Sequence, residues 1–405
     1  MLNVAVLGYG TVGSGVVEVI RSNQDVVNRN AGQEINIKYV LDLRNFPGDP
    51  VEKILVHDYN IILDDPEVDI VVEVMGGINP AYGFVKSALE KHKSVATSNK
   101  ELVAAHGAEL IKIARENNVN FLFEASVGGG IPVIRPLIDS ITADNVTEIT
   151  GILNGTTNYI LTKMSEEGKD FDTVLKTAQE KGYAERNPEA DVEGYDACRK
   201  IAILTSLVCG RQVNYQDIYT EGITGITDID IDYAKALGGT IKLFGTTTIK
   251  GGKVYSLVSP FIVTGEHVLA NVSGVFNGIL VKGDMLGDVM FYGKGAGKLP
   301  TASAVVSDVV EAARSMGRSK NIIWEQEKVQ VENALDYECP VFARVKNTKE
   351  EVESIFGNVT YVSLPEVTDE TAFVTSVISE KEFQDKAQKL DLIHRIKTTI
   401  TLPAV

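Results

Sequence analysis

Over its first 130 residues the chain alternates short, β-branched, apolar runs with longer segments of mixed polarity. The runs cover residues 3–7, 35–41, 70–74, 94–97 and 120–123. Between them, segments such as 12–22 and 101–117 are long enough for helices and carry both apolar and polar positions. This is the pattern of βα units around a parallel sheet. It predicts an α/β, doubly wound, Rossmann-type domain whose ligand crevice lies at the carboxyl ends of the strands.

Residues 131–300 change character. Strands are expected over 149–153 and 255–263. A helix over 172–181 ends at Gly182, and an amphipathic helix over 196–208 closes at Gly210. An α+β block results. A helix over 302–316, stopped by Gly317, returns the chain to the first domain, which therefore comprises residues 1–130 plus 301–320 with the block 131–300 inserted. Residues 325–405 are expected to hold strands near 341–346, 359–364 and 372–378, helices near 349–356 and 380–390, and a last strand over 396–402. That order, βαββαβ, predicts a small ferredoxin-like domain.

A length of 405 residues agrees with several domains, because one hydrophobic core stops growing near roughly 250–300 residues. Hydrophobic residues at 44% and charged residues at 23% describe an ordinary folded chain rather than a disordered one. The net charge of −16, with no compensating Lys/Arg-rich run, argues against nucleic-acid binding. The apolar start stops at Gly8 without a basic leader, too short for a signal peptide or a membrane span, so no membrane association is expected. Only Cys198, Cys209 and Cys339 are present, which supports neither a disulfide framework nor a zinc site and suits a cytoplasmic protein. The five histidines are scattered, with no metal-binding pair.

Gly8, Gly10 and Gly13 form a Gly-x-Gly-x-x-Gly loop directly after the first strand. Thr11, Val12 and Gly13 open the following helix, whose N-terminus would present N–H groups to a pyrophosphate. In this strand–loop–helix context the motif predicts a dinucleotide cofactor; alone it would also fit a structural turn. Asp42, at the end of the second strand, suits the ribose hydroxyls of NAD and would repel the extra phosphate of NADP, whereas Arg44 would favour NADP. Both cofactors stay open. Asp42 follows Gly13 by 29 residues, more than the usual spacing of about 20, which fits an extended first helix and loop.

A glycine-ended helix leads through a carboxylate-rich loop, with Glu185 and Asp191, into a second helix on which Asp196 and Lys200 lie one turn apart. An i,i+4 Asp–Lys pair is commonly a solvated ion pair. Here an apolar run, Ile201-Ala202-Ile203-Leu204, follows it, so the pair stands at the polar entrance of an otherwise apolar helix.

The whole segment 178–200, with its Gly194-x-Asp196-x-x-x-Lys200 ending, resembles the signature of homoserine dehydrogenases. The similarity runs over nearly all of residues 1–315. It includes Val72–Gly77, Ser98-Asn99-Lys100, Glu124–Pro132, Gly151–Asn158, Tyr292–Gly297 and Thr301–Ala304. One departure is Asn187, where the family usually has aspartate before the proline. The resemblance implies reversible reduction of aspartate 4-semialdehyde to homoserine with NADP or NAD. It implies Lys200 as general acid/base, Asp196 as its orienting partner and Lys100 as a second ammonium near the reacting oxygen and the cofactor. Glu185 and Asp191 would then hold the substrate's α-ammonium, and Asn154 and Thr156 would order the substrate pocket. Ser98, Lys100 and Gly297 would lie beside the cofactor. Glu124, Val127, Gly129 and Ile131 match positions that in relatives bind a monovalent cation, Na+ or K+, chiefly through backbone carbonyls. A homodimer or homotetramer, assembled through the second domain, is the family expectation.

The C-terminal domain occupies the place of an amino-acid-binding regulatory domain of the ACT type. It lacks the usual glycine turn after its first strand, reading Val345-Lys346-Asn347-Thr348 instead, so a structural or oligomer-bridging role is favoured over threonine inhibition. Two other functions share the glycine loop: an amino-acid dehydrogenase acting on a different carbonyl or amine, and a catalytically silent dinucleotide sensor.

Overall fold

The computed structural model of the chain describes residues 1–400. It divides into two compact units. The first comprises Met1–Asn145, Ala202–Tyr215 and Phe291–Val329; the second comprises Val146–Ile201, Gln216–Met290 and Gln330–Val405.

The first unit is built on six parallel strands, β1 (Leu2–Leu7), β2 (Ile35–Leu41), β3 (Leu55–Val56), β4 (Val68–Glu73), β5 (Ser94–Thr97) and β6 (Phe121–Leu122). Their order is β3-β2-β1-β4-β5-β6, the doubly wound arrangement with its switch point between β1 and β4. Val4, Val6, Ile70, Val72, Val95 and Ala96 are fully buried, which is why these strands read as near-continuous apolar runs. The Lys298–Arg314 helix belongs to this unit. Its pairing with the first helix is close: a Cβ on Gly15 would meet the Lys298 carbonyl oxygen at 2.9 Å, and Lys298 pairs with Glu18 at 2.7 Å.

The second unit is built on a ten-stranded sheet. Its path uses β7 (Val146–Ile152), β8 (Gly239–Lys250), β9 (Lys253–Thr264), β10 (Phe276–Gly283) and β11 (Gly287–Lys294). It continues through β12 (Val341–Val345), β13 (Thr360–Val362), β14 (Thr371–Val374) and β15 (Leu392–Thr398) in the order β11-β10-β7-β8-β9-β15-β12-β14-β13. The last four strands, with helices Lys349–Phe356 and Glu380–Ala387, have the expected βαββαβ order, in an antiparallel arrangement β15-β12-β14-β13. They do not stand apart as a body of their own. β15 pairs in parallel with β9, Phe261 opposite Lys397, so residues 330–400 extend the central sheet of the second unit. The part of the expected last strand beyond residue 400 lies outside the described residues, and the observed strand begins earlier, at Leu392.

Buried charge also joins these segments. Asp230, on the Asp228–Ala236 helix, is fully buried and meets Arg344 of β12 at 2.8 Å and His394 of β15 at 2.9 Å. Among the described residues, no helix is long and apolar enough to cross a membrane.

Candidate active site

β7 ends at Ile152 and the chain turns into the Gly155–Glu167 helix, with Asn154 as its N-cap. Asparagine suits that position because its side-chain oxygen can accept from an orphan N–H, here that of Thr157 at 2.9 Å. The amide nitrogen of the same side chain is left to reach outward. It donates to Asp191 Oδ1 at 2.7 Å and to Asp196 Oδ2 at 2.9 Å. Lys200, one turn beyond Asp196 on the Tyr195–Cys209 helix, donates to Asp196 Oδ2 at 2.7 Å and to the Leu153 carbonyl at 2.8 Å.

This pair is not a solvated surface contact. Asp196 is 2% exposed and Lys200 8%. The helix can lie this close to the sheet because β8 carries Gly245, where a Cβ would meet Leu153 Cδ1 at 2.9 Å and Ile201 Cβ at 3.3 Å. A buried ion pair holds only when further polar groups replace the lost water. Asn154 and the Leu153 carbonyl do this here, and the result is an ammonium fixed in direction, able to donate a proton or stabilise a developing alkoxide.

The other second-unit candidates are placed less tightly. Thr156 Oγ1 donates to the Tyr183 carbonyl at 2.7 Å and ties the carboxylate-rich loop to the helix start. Glu185 stands exposed in that loop, its carbonyl accepting from Gln179 Nε2 at 3.1 Å. The structure therefore brings Asn154, Asp191, Asp196 and Lys200 into one hydrogen-bonded group, with no hydrogen bond joining Glu185 to it.

In the first unit, Gly8 has φ +96°, a conformation glycine adopts without strain, and a Cβ on Gly13 would stand 1.8 Å from the Gly8 carbonyl oxygen. Gly10 caps the Thr11–Ser22 helix, and space is open where its Cβ would stand. The loop therefore fits a pyrophosphate laid against backbone N–H groups. Asp42 lies beside it, Oδ2 accepting from the Tyr9 backbone N–H at 2.8 Å. Arg44 reaches back to the same carboxylate, Nε to Oδ1 and Nη2 to Oδ2, both at 2.9 Å. The Arg44 hydrogen bonds hold the Asp42 carboxyl well below the usual carboxylate range. The two residues that argue for opposite cofactors are thus bound to each other.

Ser98 follows β5, its N–H donating to the Glu73 carbonyl at 3.4 Å, and Lys100 opens the Lys100–Glu116 helix behind the Asn99 cap. Between them the structure exposes a residue the sequence reading did not single out. Glu73, at the end of β4, is fully buried; its carboxylate accepts from Thr97 Oγ1 at 2.7 Å and the Met75 N–H at 2.8 Å, and burial raises its pKa. It ties the carboxyl ends of β4 and β5 together at the crevice. A lone carboxylate inside the apolar run 70–74 was the signal for it.

Gly297, at φ +121°, caps the Lys298–Arg314 helix. The Glu124 carboxylate accepts the N–H groups of Val133, Ile134 and Arg135 at 2.7, 2.8 and 2.7 Å. Val127 and Ile131 are buried, and Gly129, at φ +56°, packs against the Gly295 backbone. The Glu124 side chain is therefore committed to its own loop, which leaves only carbonyl oxygens of this quartet for a cation. The described residues contain no group of three or more His, Cys, Asp or Glu side chains that could hold a metal ion.

Two family models match, one described as homoserine dehydrogenase over residues 132–310 and one as the homoserine dehydrogenase NAD binding domain over residues 8–124. Homoserine dehydrogenase of Bacillus subtilis is 38% identical over 98% of this chain and 97% of its own length. The chain belongs to the homoserine dehydrogenase family. A crystal structure of a homoserine dehydrogenase from Thiobacillus denitrificans has a TM-score of 0.90 at 33% identity, covering 98% of each chain. A hyperthermophilic archaeal homoserine dehydrogenase mutant, solved in complex with NADPH, has a TM-score of 0.64 at 28% identity and covers 77% of this chain and 97% of its own. Homoserine dehydrogenases are oxidoreductases acting on a CH–OH group, and their NAD(P)-dependent step interconverts homoserine and aspartate semialdehyde. Membership displaces the dinucleotide sensor and the dehydrogenase of another carbonyl as readings of this fold.

Proposed function

We propose that Lys200 is the general acid/base of homoserine oxidation in this chain, and the hydrogen-bonded Asn154–Asp191–Asp196–Lys200 group, with Asp196 and Lys200 buried, is the observation that carries the proposal. Asp196 orients the ammonium, and Asn154 couples Asp196 to Asp191, so one amide fixes both carboxylates. Asp191 and Glu185 bind the substrate's α-ammonium, and Thr156 holds the loop that brings them. Lys100 supplies a second positive charge toward the reacting oxygen. A nicotinamide dinucleotide, when bound, supplies the hydride acceptor or donor. It rests on Gly8, Gly10, Thr11, Val12 and Gly13, with Asp42 and Arg44 at its ribose end and Ser98, Lys100 and Gly297 alongside. Gly10's open approach and the NADPH bound by the archaeal relative support that seat.

A monovalent cation, Na+ or K+, is held by the carbonyl oxygens of Glu124, Val127, Gly129 and Ile131, a reading supported by the commitment of the Glu124 carboxylate to three N–H groups. The chain assembles as a homodimer through the second unit, whose terminal strand β11 leaves all eight of its residues half-buried or exposed. Residues 325–405 act as an ACT-like, structural extension rather than a threonine sensor. Three free cysteines suit a reducing cytoplasm. The test is a spectrophotometric assay of homoserine oxidation with NAD and NADP in parallel and aspartate as control. Turnover confined to homoserine supports the assignment; turnover of aspartate overturns it.

A further inference from the structure

Away from the Asn154 group, the same side of the Gly155–Glu167 helix runs on to a second polar site. Asn158, Thr162 and Glu166 follow Asn154 at four-residue steps, so they line one side of the helix. Asn158 Nδ2 donates to the Val272 and Phe276 carbonyls at 3.1 and 3.0 Å, and Thr162 Oγ1 accepts from the Gly274 N–H at 3.1 Å. These bonds hold the 271–276 segment against the helix. Beside that seam lies a cavity of about 260 Å³ whose lining includes Ser165, Thr240, Lys242, Asn271 and Ser273.

Lys242 is the unusual member. It projects from the middle of β8 and is only 2% exposed. Its ammonium donates to the Val272 carbonyl at 2.6 Å and to Asn158 Oδ1 at 3.3 Å, both neutral acceptors. Among the described residues it has no ion-pair partner. An ammonium has three donors, so one is left over. Burying a cation without a countercharge is costly, and such a group either loses its proton or recruits an anion. Burial does push Lys242 down, to about 8, which leaves it mostly protonated at neutral pH.

We propose that this cavity is a binding site for a small monocarboxylate, seated on the Lys242 ammonium. One buried lysine and neutral hydroxyl and amide groups match a single negative charge. Glu166 also lines the cavity; it is paired with Lys163 at 2.8 Å, acts on Lys242 only from beyond ion-pair distance, and opposes a dianion such as phosphate more strongly than a monoanion. Val263 and Ala270 provide apolar wall for a short aliphatic tail. The site is separate from the residues assigned to catalysis, and its occupant would press on the helix that carries Asn154.

Propionate is the probe, on the full-length protein, with sodium chloride at matched ionic strength. At about ten times its Kd, propionate should raise the wild-type Tm by about 2 °C. Chloride should not reproduce the shift, and Lys242→Met should abolish it. The same occupancy should slow amine labelling of Lys242 in the wild type, read by peptide mass spectrometry, by roughly tenfold. This second arm needs no variant to fold. No change in labelling overturns the proposal, as does an equal Tm gain in Lys242→Met. Protection by inorganic phosphate but not by propionate overturns the monocarboxylate assignment.

Discussion

The Arg44 guanidinium clasps the Asp42 carboxylate at two points, 2.9 Å on each arm, while the Tyr9 backbone N–H holds the same carboxylate against the glycine loop. The pair makes cofactor preference a balance. Asp42 repels the additional phosphate of NADP, and Arg44, whose side chain is 63% exposed, is the group that could leave to receive it. Asp42→Ala should therefore shift the ratio of catalytic efficiencies toward NADP. Arg44→Ala should shift it toward NAD. If neither ratio moves, the pair does not face the ribose.

A second prediction concerns the N-cap. Asn154→Ala removes one helix cap, a loss of about 1 kcal/mol, and leaves both Asp191 and Asp196 without its amide. Turnover should fall much further than stability. Kinetics and thermal melts on the same preparation separate the two effects, and a fall in Tm with unchanged kcat would reduce Asn154 to a structural cap.

The Asp230 cluster gives a pH prediction. Burial alone would raise the Asp230 pKa, but His394 and then Arg344 hold it down, to about 2. The folded value lies below the ordinary aspartate value of 3.8, so the folded state binds this proton less readily than the unfolded one. The stabilisation is full above about pH 4 and is lost as the pH falls through 2, on the order of 2 kcal/mol. Asp230→Asn should flatten the acid limb of stability against pH. An unchanged acid limb in that variant would contradict the shift.

Truncation near Lys320 removes β15 from beside β9 and strips Asp230 of Arg344 and His394. None of the residues assigned to catalysis is lost, yet the second unit loses part of its sheet. Reduced solubility and Tm are expected, with activity retained in whatever fraction folds. Millimolar threonine should leave the full-length enzyme active; inhibition that disappears on truncation would make the C-terminal segment a sensor.

The sequence made the first unit legible because its strands are buried on both faces and its glycine turn stands directly between a strand and a helix, the context that gives the motif its meaning. Helix boundaries at 349–356 and 196–208 were also close, since capping residues and glycine stops are local signals. What could not be read was long-range. β8 carries Lys242 and a run of threonines within a buried strand, and only pairing with β7 and β9 makes it one. Nor does any local pattern announce that β15 would join β9, about 135 residues away. In the site, the spacing of Asp196 and Lys200 was visible, but a solvated pair has the same spacing; burial and Asn154 distinguish the two.

The role of the Lys200 ammonium is measured most directly by homoserine oxidation by Lys200→Ala beside binding of the reduced cofactor to the same protein. Removing one partner of a buried pair can cost about 3–5 kcal/mol, so a thermal melt must first show that the variant is folded. Given that, the account predicts near-normal cofactor binding with turnover reduced by about 10²–10⁴-fold, the usual contribution of a positioned proton-transfer group. Oxidation of homoserine at close to the wild-type rate by folded Lys200→Ala would contradict it.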